Sequence, residues 1–349
     1  MSDSRPVAQA VLASWFARSP ETVEPLGDGH INATFAVRGA LPRGPDADFV
    51  LQRISRGVFA RPQNVLDNFS RVARHLGGEF PYAVPTPLRT RDGSDHAILD
   101  GECWRLVRRI PGVCHQTLPN ASAAAAAGAA FGALHSALDG FDAAALAEAI
   151  PNFHRLRHYL AELRAVEARA ANAERETLTR LLRHADRFRA LDSDPPATAI
   201  HGDCKVNNLL FSPPASEREP SRVNGILDFD TLMRGHWWWD FGDLVRSATV
   251  VDGCFQTGFY AELTRAFVAA GRRSTIEREL DLGCEAPGYF AFMLAVRFLA
   301  DHLNGDRYFR VARRGDNLRR ALAQLDDLLV LERADNRREL RRGLEAALV

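Results

Sequence analysis

The tightest constraint in this chain is a pair of short polar motifs that have to end up side by side. The first is His201-Gly202-Asp203-Cys204-Lys205-Val206-Asn207-Asn208, followed at once by the apolar run Leu209-Leu210-Phe211. The second is Asp228-Phe229-Asp230, preceded by Ile226-Leu227. If the two apolar runs pair as a hairpin with a polar turn over 213–222, Asp203, Asn208 and Asp228 gather at one end of it. A carboxylate that takes the proton of an attacking hydroxyl, an amide oxygen five residues on and a second carboxylate on a following strand are the parts of a phosphoryl-transfer site. The last two would hold Mg²⁺ against the phosphates of ATP. Solvated loop carboxylates are the alternative, and the ordered pair of motifs, each tied to an apolar run, favours the site.

Composition leaves room for two packed units, with 349 residues, 46% of them hydrophobic and 25% charged. Basic and acidic residues are equal at 44 each, which argues against a broad nucleic-acid or membrane surface. The start, Met1-Ser2-Asp3-Ser4, lacks a basic-then-apolar signal, and no run suggests the ~20 apolar residues of a membrane span. A cytoplasmic location is expected. Cys103, Cys114, Cys204, Cys254 and Cys284 are scattered without metal-ligand spacing and read as reduced thiols. Lys205 is the only lysine. It stands two residues after the proposed base, where a compact ammonium suits a moving phosphoryl group better than a planar guanidinium. Chance survival in an arginine-rich chain is the alternative.

Along the chain, Val7, Val11, Leu12, Trp15 and Phe16 recur at helical spacing over 7–18. Leu26 to Val37 reads as a loop running into a strand, Asp48 to Ile54 as a strand, and Pro62 to Leu76 as a helix. Pro85 to Val107 reads as a meander with hairpin turns at Asp92-Gly93 and Asp100-Gly101. From there the pattern turns helical. An alanine-rich helix spans Ala121 to Leu138, charged helical segments cover 153–171 and 173–191, and helices run from Phe255 to the end.

These features together resemble the aminoglycoside phosphotransferase and choline kinase superfamily, and within it the bacterial N-acetylhexosamine 1-kinases. Besides the two motifs, the resemblance rests on Gly27-Asp28-Gly29-His30-Ile31-Asn32, Leu51-Gln52-Arg53-Ile54, Trp239-Asp240-Phe241-Gly242-Asp243-Leu244-Val245-Arg246-Ser247 and Arg297-Phe298-Leu299-Ala300-Asp301. It implies an α+β, protein-kinase-like fold of two lobes. An N-lobe over 1–107 would hold a small antiparallel sheet with one inserted helix. A hinge over 108–112 would join it to a mainly helical C-lobe over 113–349. Gly202 replaces the arginine by which protein kinases read a phosphorylated loop, and Trp237-Trp238-Trp239 follow too soon to leave an activation segment, so a protein kinase is rejected.

The resemblance also assigns roles. Gly27, Gly29 and Asn32 belong to the loop over the ATP phosphates, where small residues admit backbone N–H groups, an ordinary tight turn being the alternative. Arg53 replaces the usual lysine as the cation on the α/β-phosphates, with Gln52 on the opposite face and Asp67 as acidic partner. Arg109 lies in the stretch that receives adenine. Asp203 is the base, Lys205 the second phosphate clamp, and Asn208 and Asp228 the Mg²⁺ ligands, with Asp230 assisting the metal or bracing the loop and His201 supporting it. His30, Asp240, Asp243 and Arg297 would contact the sugar. The alternatives are an exposed loop histidine, an acidic first helical turn around Asp240 and Asp243, and a local Arg297–Asp301 ion pair. Trp237 to Trp239 either stack on the sugar or fill the core, and His135 packs. The expected activity is transfer of the ATP γ-phosphoryl group to the anomeric 1-hydroxyl of an N-acetylhexosamine by a monomer or weak homodimer, with no nucleic-acid or membrane partner. A kinase of another small alcohol (aminoglycoside, choline, homoserine) and a nucleotide-binding pseudokinase are the alternatives.

Overall fold

The computed structural model describes residues 5–26, 32–41, 46–196, 198–213 and 221–349. Gly27, Gly29 and His30, and most of the turn expected over 213–222, lie outside them.

Alternating side chains set the two faces of a five-stranded antiparallel sheet. Its strands are β1 (Thr22–Pro25), β2 (Ala33–Ala40), β3 (Asp46–Arg53), β4 (Ala97–Leu99) and β5 (Glu102–Arg108), in the order β1-β2-β3-β5-β4. Phe35, Val37, Phe49, Leu51, Trp104 and Leu106 turn to one face. There they pack on Ala8, Val11, Leu12, Trp15 and Phe16, from α1 (Arg5–Val11) and the turns after it. Val50 and Gln52 of β3 turn to the other face and lie opposite Val107 and Arg105 of β5. That face forms the roof of a cleft. The Asp100-Gly101 hairpin forms as expected, with φ of 52° and 76°. Asp92-Gly93 does not join two strands; Thr90 and Ser94 close that turn through their own hydrogen bonds. Helix α2 (Pro62–Leu76) has the expected bounds, since Pro62 suits a first helical turn and Gly77, at φ 56°, ends it.

The remainder is mainly helical: α3 (Ala121–Ala137), α4 (Leu156–Val166), α5 (Asn172–Leu182), α6 (Ala185–Arg189), α7 (Trp237–Thr249), α8 (Thr257–Ala270), α9 (Arg273–Arg278), α10 (Leu280–Leu303), α11 (Asp316–Leu331) and α12 (Ala334–Ala347). Between α6 and α7 run two short ladders. β6 (Ala199–Ile200) pairs with β9 (Met233–Arg234), and β7 (Leu209–Phe211) pairs with β8 (Val223–Ile226). This is the small-sheet and helical-lobe architecture of the kinase-like fold. One helix departs from the sequence expectation. By length and composition α10 would cross a membrane, but 72% of its apolar stretch is buried, against α4, α7 and α11, which makes it a core helix of the helical lobe. Trp237, Trp238 and Trp239 are all buried beside it, so they fill the core and offer no stacking surface to a sugar.

Helix α3 is alanine-rich because its backbone touches that of α8. A Cβ added at Gly128 would lie 2.1 Å from the Leu263 carbonyl oxygen, and one at Gly132 would lie 2.4 Å from that of Phe267. Gly132→Ala is therefore expected to destabilise the protein by about 1–3 kcal/mol, read as a lower urea midpoint. Gly258→Ala faces open space on α8 and should leave the midpoint unchanged or raise it slightly. Equal midpoints for the two variants would contradict the close helix contact.

Candidate active site

The first motif hangs between β6 and β7, the second between β8 and β9, so strand pairing brings them together. The turn of the first is held by a buried carboxylate. The N–H groups of His201 and Gly202 donate to the two oxygens of Asp240, each at 2.8 Å. Burial would raise the Asp240 pKa; His135, whose Nε2 lies 3.1 Å away, His201 and the Gly202 N–H outweigh that and hold it below its ordinary value. Gly202 has φ 82°, and a Cβ there would meet the Thr231 carbonyl at 2.5 Å, so only glycine fits. Its carbonyl accepts from His154 Nε2 at 2.6 Å. Burial drives the His154 pKa down to about 4, which leaves a neutral ring with Nε2 as donor. His201 is fully buried; its Nε2 donates to Leu227 O at 2.9 Å, tying the two motifs together.

Asp203 emerges from this turn into the cleft. Lys205 Nζ lies 2.7 Å from Asp203 Oδ2, and Asn208 Nδ2 donates to the same oxygen at 2.9 Å. Burial pushes the Asp203 carboxyl up, and Lys205, His201 and Asn208 outweigh it, so the group stays below its ordinary pKa and is ionised at neutral pH. The pairing holds Lys205 above its ordinary value despite burial. Leu227 N–H donates to Asn208 O at 2.8 Å, which carries Asp228 to the same end of the hairpin. Asp228 takes the left-handed conformation, φ 64°, and its side chain opens on the cleft. The enclosing walls and the charges of Asp230 and Asp203 push its carboxyl up to about 7. Among the described residues no cation pairs with it. With Asn208 Nδ2 committed to Asp203, the Asn208 amide oxygen and the Asp228 carboxylate are hard oxygen donors of the kind Mg²⁺ takes, so the residues fit that ion.

The sheet side of the cleft corrects one expectation. Arg53 shares the parity of Phe49 and Leu51, and its guanidinium lies over the Trp104 ring at 5.8 Å, away from the cleft. Gln52 is the inward residue. It accepts from Arg105 Nε and Nη2 at 2.9 and 2.7 Å, while Arg105 Nη1 bonds Asp230 Oδ1 at 2.5 Å. Asn32 Nδ2 donates to the other oxygen of Asp230 at 2.6 Å, and its Oδ1 accepts from the Ser55 N–H at 2.9 Å. Asp67 is exposed on α2 and is not the partner of this cation. Asp230 therefore braces the loop against the sheet. Sequence reasoning passed over Arg105 and His154. Arg105 had a signal, as a charged residue inside the apolar run Cys103-Trp104-Arg105-Leu106-Val107; His154, in a turn at φ 61°, had none.

Asp203 lines the first of two cavities. The cleft, of about 630 Å³, is lined by Asn32, Gln52, Arg105, Asp203, Lys205, Asn208 and Asp228, with Arg109 exposed at its rim. The second, of about 610 Å³, contains Arg297 among aromatic rings. Its guanidinium lies 4.8 to 5.5 Å from the ring centres of Phe153, Tyr159, Tyr308 and Phe309. Arg297 does not pair with Asp301, whose oxygens take the N–H groups of Arg307, Tyr308 and Phe309 and the Asn317 amide. Among the described residues Arg297 has no carboxylate within ion-pair distance, although Asp203 is close enough to favour its charge. Asp243 is committed to Arg246, 2.6 Å away, and lines neither cavity.

The fold matches solved structures over nearly its whole length. An aminoglycoside 2′-phosphotransferase IIIa variant in complex with GDP superposes with a TM-score of 0.61 at 17% identity, covering 96% of this chain and 100% of that one. Amicoumacin kinase in complex with AMP-PNP, Ca²⁺ and its ligand gives 0.57 at 15% identity, over 98% and 94% of the two chains. Choline kinase from Cryptosporidium parvum Iowa II gives 0.57 at 13% identity, over 99% and 98%. A family model described as the phosphotransferase enzyme family matches residues 22–277, most of the sheet lobe and the whole catalytic loop region, and the chain belongs to that family.

Proposed function

We propose that this protein is a cytoplasmic, ATP-dependent small-molecule kinase that phosphorylates the anomeric 1-hydroxyl of an N-acetylhexosamine. The observation that carries the reading is Asp203, an ionised carboxylate in the cleft walled by the sheet and the motif loops, close enough to Arg297 of the second, aromatic-lined cavity for the two charges to interact. ATP would fill the first, its adenine at the connection over 108–112 between an N-lobe over 1–107 and a C-lobe over 113–349. The acceptor would fill the second.

Asp203 orients the acceptor hydroxyl and takes its proton as the new oxygen–phosphorus bond forms and the bond to the departing ADP oxygen breaks. A carboxylate of depressed pKa is a weak base, and an anomeric hydroxyl, more acidic than an ordinary alcohol, suits it. Lys205 meets the transferring phosphoryl group as its charge shifts. Mg²⁺ bound by Asn208 and Asp228 would offset the charge of the β- and γ-phosphates. The acceptor class is supported by Arg297. A buried guanidinium without a carboxylate partner repels a cationic acceptor and favours one that offers oxygen acceptors, such as the carbonyl of an acetamido group and ring hydroxyls.

Asp203→Asn is expected to leave ATP binding nearly intact and to cut turnover by roughly 10²–10⁴, the usual worth of a positioned base. Near-wild-type turnover in that variant would remove Asp203 from the role. Lys205→Ala should lower kcat more than it raises the acceptor KM, with Lys205→Arg recovering part of the loss, because a contact to the moving group strengthens in the transition state. Equal kinetics for the three proteins would remove Lys205 from the chemistry. In a coupled ADP-release assay N-acetylglucosamine or N-acetylgalactosamine should turn over, while their 1-deoxy and 1-O-methyl analogues bind without reacting. Full activity on a 1-O-methyl sugar, or phosphate found on carbon 6, would exclude the 1-kinase. ADP release driven instead by an aminoglycoside or choline would point to the other small-alcohol reading.

A further inference from the structure

The sheet lobe of this site poses a charge problem. Of the two β3 residues 52 and 53, the inward one is Gln52, which is neutral, and the outward one, Arg53, lies over Trp104 on the far face. The buried face of α2 consists of Pro62, Val65, Leu66, Asn68, Phe69, Ser70, Val72 and Leu76, with no carboxylate to anchor a cation from the helix. A phosphate chain entering the cleft under the sheet would meet no charge from either element. Yet a guanidinium is there. Arg105 of β5, the cross-strand partner of Gln52, is 3% exposed and lines the cleft with Asp203, Lys205, Asn208 and Asp228.

We propose that Arg105 is the sheet-side phosphate cation of this site, moved one strand over from the usual position and anchored by Asp230 of the metal loop in place of a helix carboxylate. The assignment rests on the phosphoryl-transfer reading above. Three contacts fix the group. Asp230 supplies the counter-ion at 2.5 Å, Gln52 takes Nε and Nη2 through one oxygen, and the Phe69 ring of α2 lies under the guanidinium at 4.5 Å. A guanidinium has five N–H donors in a fixed fork. These bonds among the described residues use three, and the remaining two, on Nη1 and Nη2, are left for phosphate oxygens.

The anchoring has a mechanistic consequence. Where the acid that orients the phosphate cation sits on a helix, swinging the helix can disable the site. Here the acid is two residues from Asp228 and is itself held by Asn32 at the start of β2. Cation, metal loop and the strand leaving the phosphate loop are one hydrogen-bonded unit, so the position of α2 has no carboxylate through which to act on it.

The test is nucleotide affinity measured by calorimetry in the presence of Mg²⁺, with no acceptor, using ATP, ADP and adenosine as three probes of the same full-length protein. Arg105→Met keeps the bulk and removes the charge. It is expected to weaken ATP and ADP by roughly 10–100-fold while leaving adenosine within about twofold. Adding Gln52→Lys to that variant puts a cation back on the same face of the neighbouring strand and should recover part of the ATP affinity without changing that of adenosine. If ATP and adenosine weaken by the same factor, or neither weakens, Arg105 only braces Asp230 and the proposal falls. Should Arg105→Met fail to fold, Arg105→Lys serves, for which a smaller fall in the ATP-to-adenosine affinity ratio is expected and an unchanged ratio overturns the assignment. Wild-type protein that binds neither ATP nor ADP would overturn the phosphoryl-transfer reading and this assignment with it. Failure of the acceptor panel alone would leave the ATP result, and the proposal, intact.

Discussion

The site depends on how two backbone N–H groups are satisfied in a dry interior. His201 and Gly202 sit at the end of β6 with no strand neighbour to receive their donors, and each is buried. An unpaired buried donor costs about 1–3 kcal/mol, so a turn with two of them would not hold its shape. Asp240 takes both, one per oxygen, from the first turn of α7, where the helix end also favours negative charge. The two carbonyls of the same turn are received by Thr231 and His154. The four backbone polar groups of the turn are thus fixed by three side chains from separate segments, and Asp203 inherits that rigidity. Positioning a base within a fraction of an ångström is most of what a phosphoryl-transfer site has to do.

A second constraint joins the two lobes. Asn32, Gln52 and Arg105 come from the sheet, Asp230 from the loop below it. A buried ion pair contributes little net stability, because desolvation offsets the attraction, but breaking it by removing one partner is costly. This pair is therefore poorly explained as a stabilising device and well explained as a register that keeps the sheet facing the Asp228-Phe229-Asp230 loop. It also separates the roles of the two aspartates in Asp228-Phe229-Asp230. Phe229 between them is buried against Phe69 and His201, so the carboxylates on either side diverge, one to Arg105 and the other to the open cleft.

Much of this was legible in the sequence, and the reason is chain distance. Asp203, Lys205, Asn208 and Asp228 are placed by short-range backbone geometry, in one loop and at the end of the hairpin that follows it, so their meeting in one cleft is readable from spacing. Helix α2 is legible because proline and glycine mark its ends, and the Asp100-Gly101 hairpin because few other pairs accept two positive φ values. What was not legible depends on partners far along the chain. Arg105 meets Asp230 across 125 positions, and His154 meets Gly202 across 48. The misassignment of Arg53 has a different origin. Arg53 carries the charge a phosphate site needs, but the apolar Phe49 and Leu51 place 53 on the core face of β3. The Arg297–Asp301 pair failed because helical spacing permits an ion pair without requiring one, and Asp301 finds four N–H donors from elsewhere.

The pattern of paired and unpaired charge shows which groups are still without a partner of opposite sign among the described residues. In the cleft Asp203 is matched by Lys205 and Asp230 by Arg105, which leaves Asp228 without an ion-pair partner among the described residues, its carboxyl pushed up to about 7 by burial and by the charges of Asp230 and Asp203. In the neighbouring cavity the unmatched group is of the opposite sign: Arg297, surrounded by rings that favour a cation without neutralising it. An uncompensated charge in a low-dielectric site raises the free energy of the empty protein, and a ligand of opposite or complementary polarity lowers it again. Asp228 is therefore complementary to a divalent cation, and Arg297 to an acceptor rich in carbonyl and hydroxyl oxygen. Asp203 is close enough to both for its charge to act on them. A cation position, a carboxylate and a position for an oxygen-rich acceptor within electrostatic reach of one another are what metal, phosphoryl group and attacking hydroxyl would need in order to be lined up.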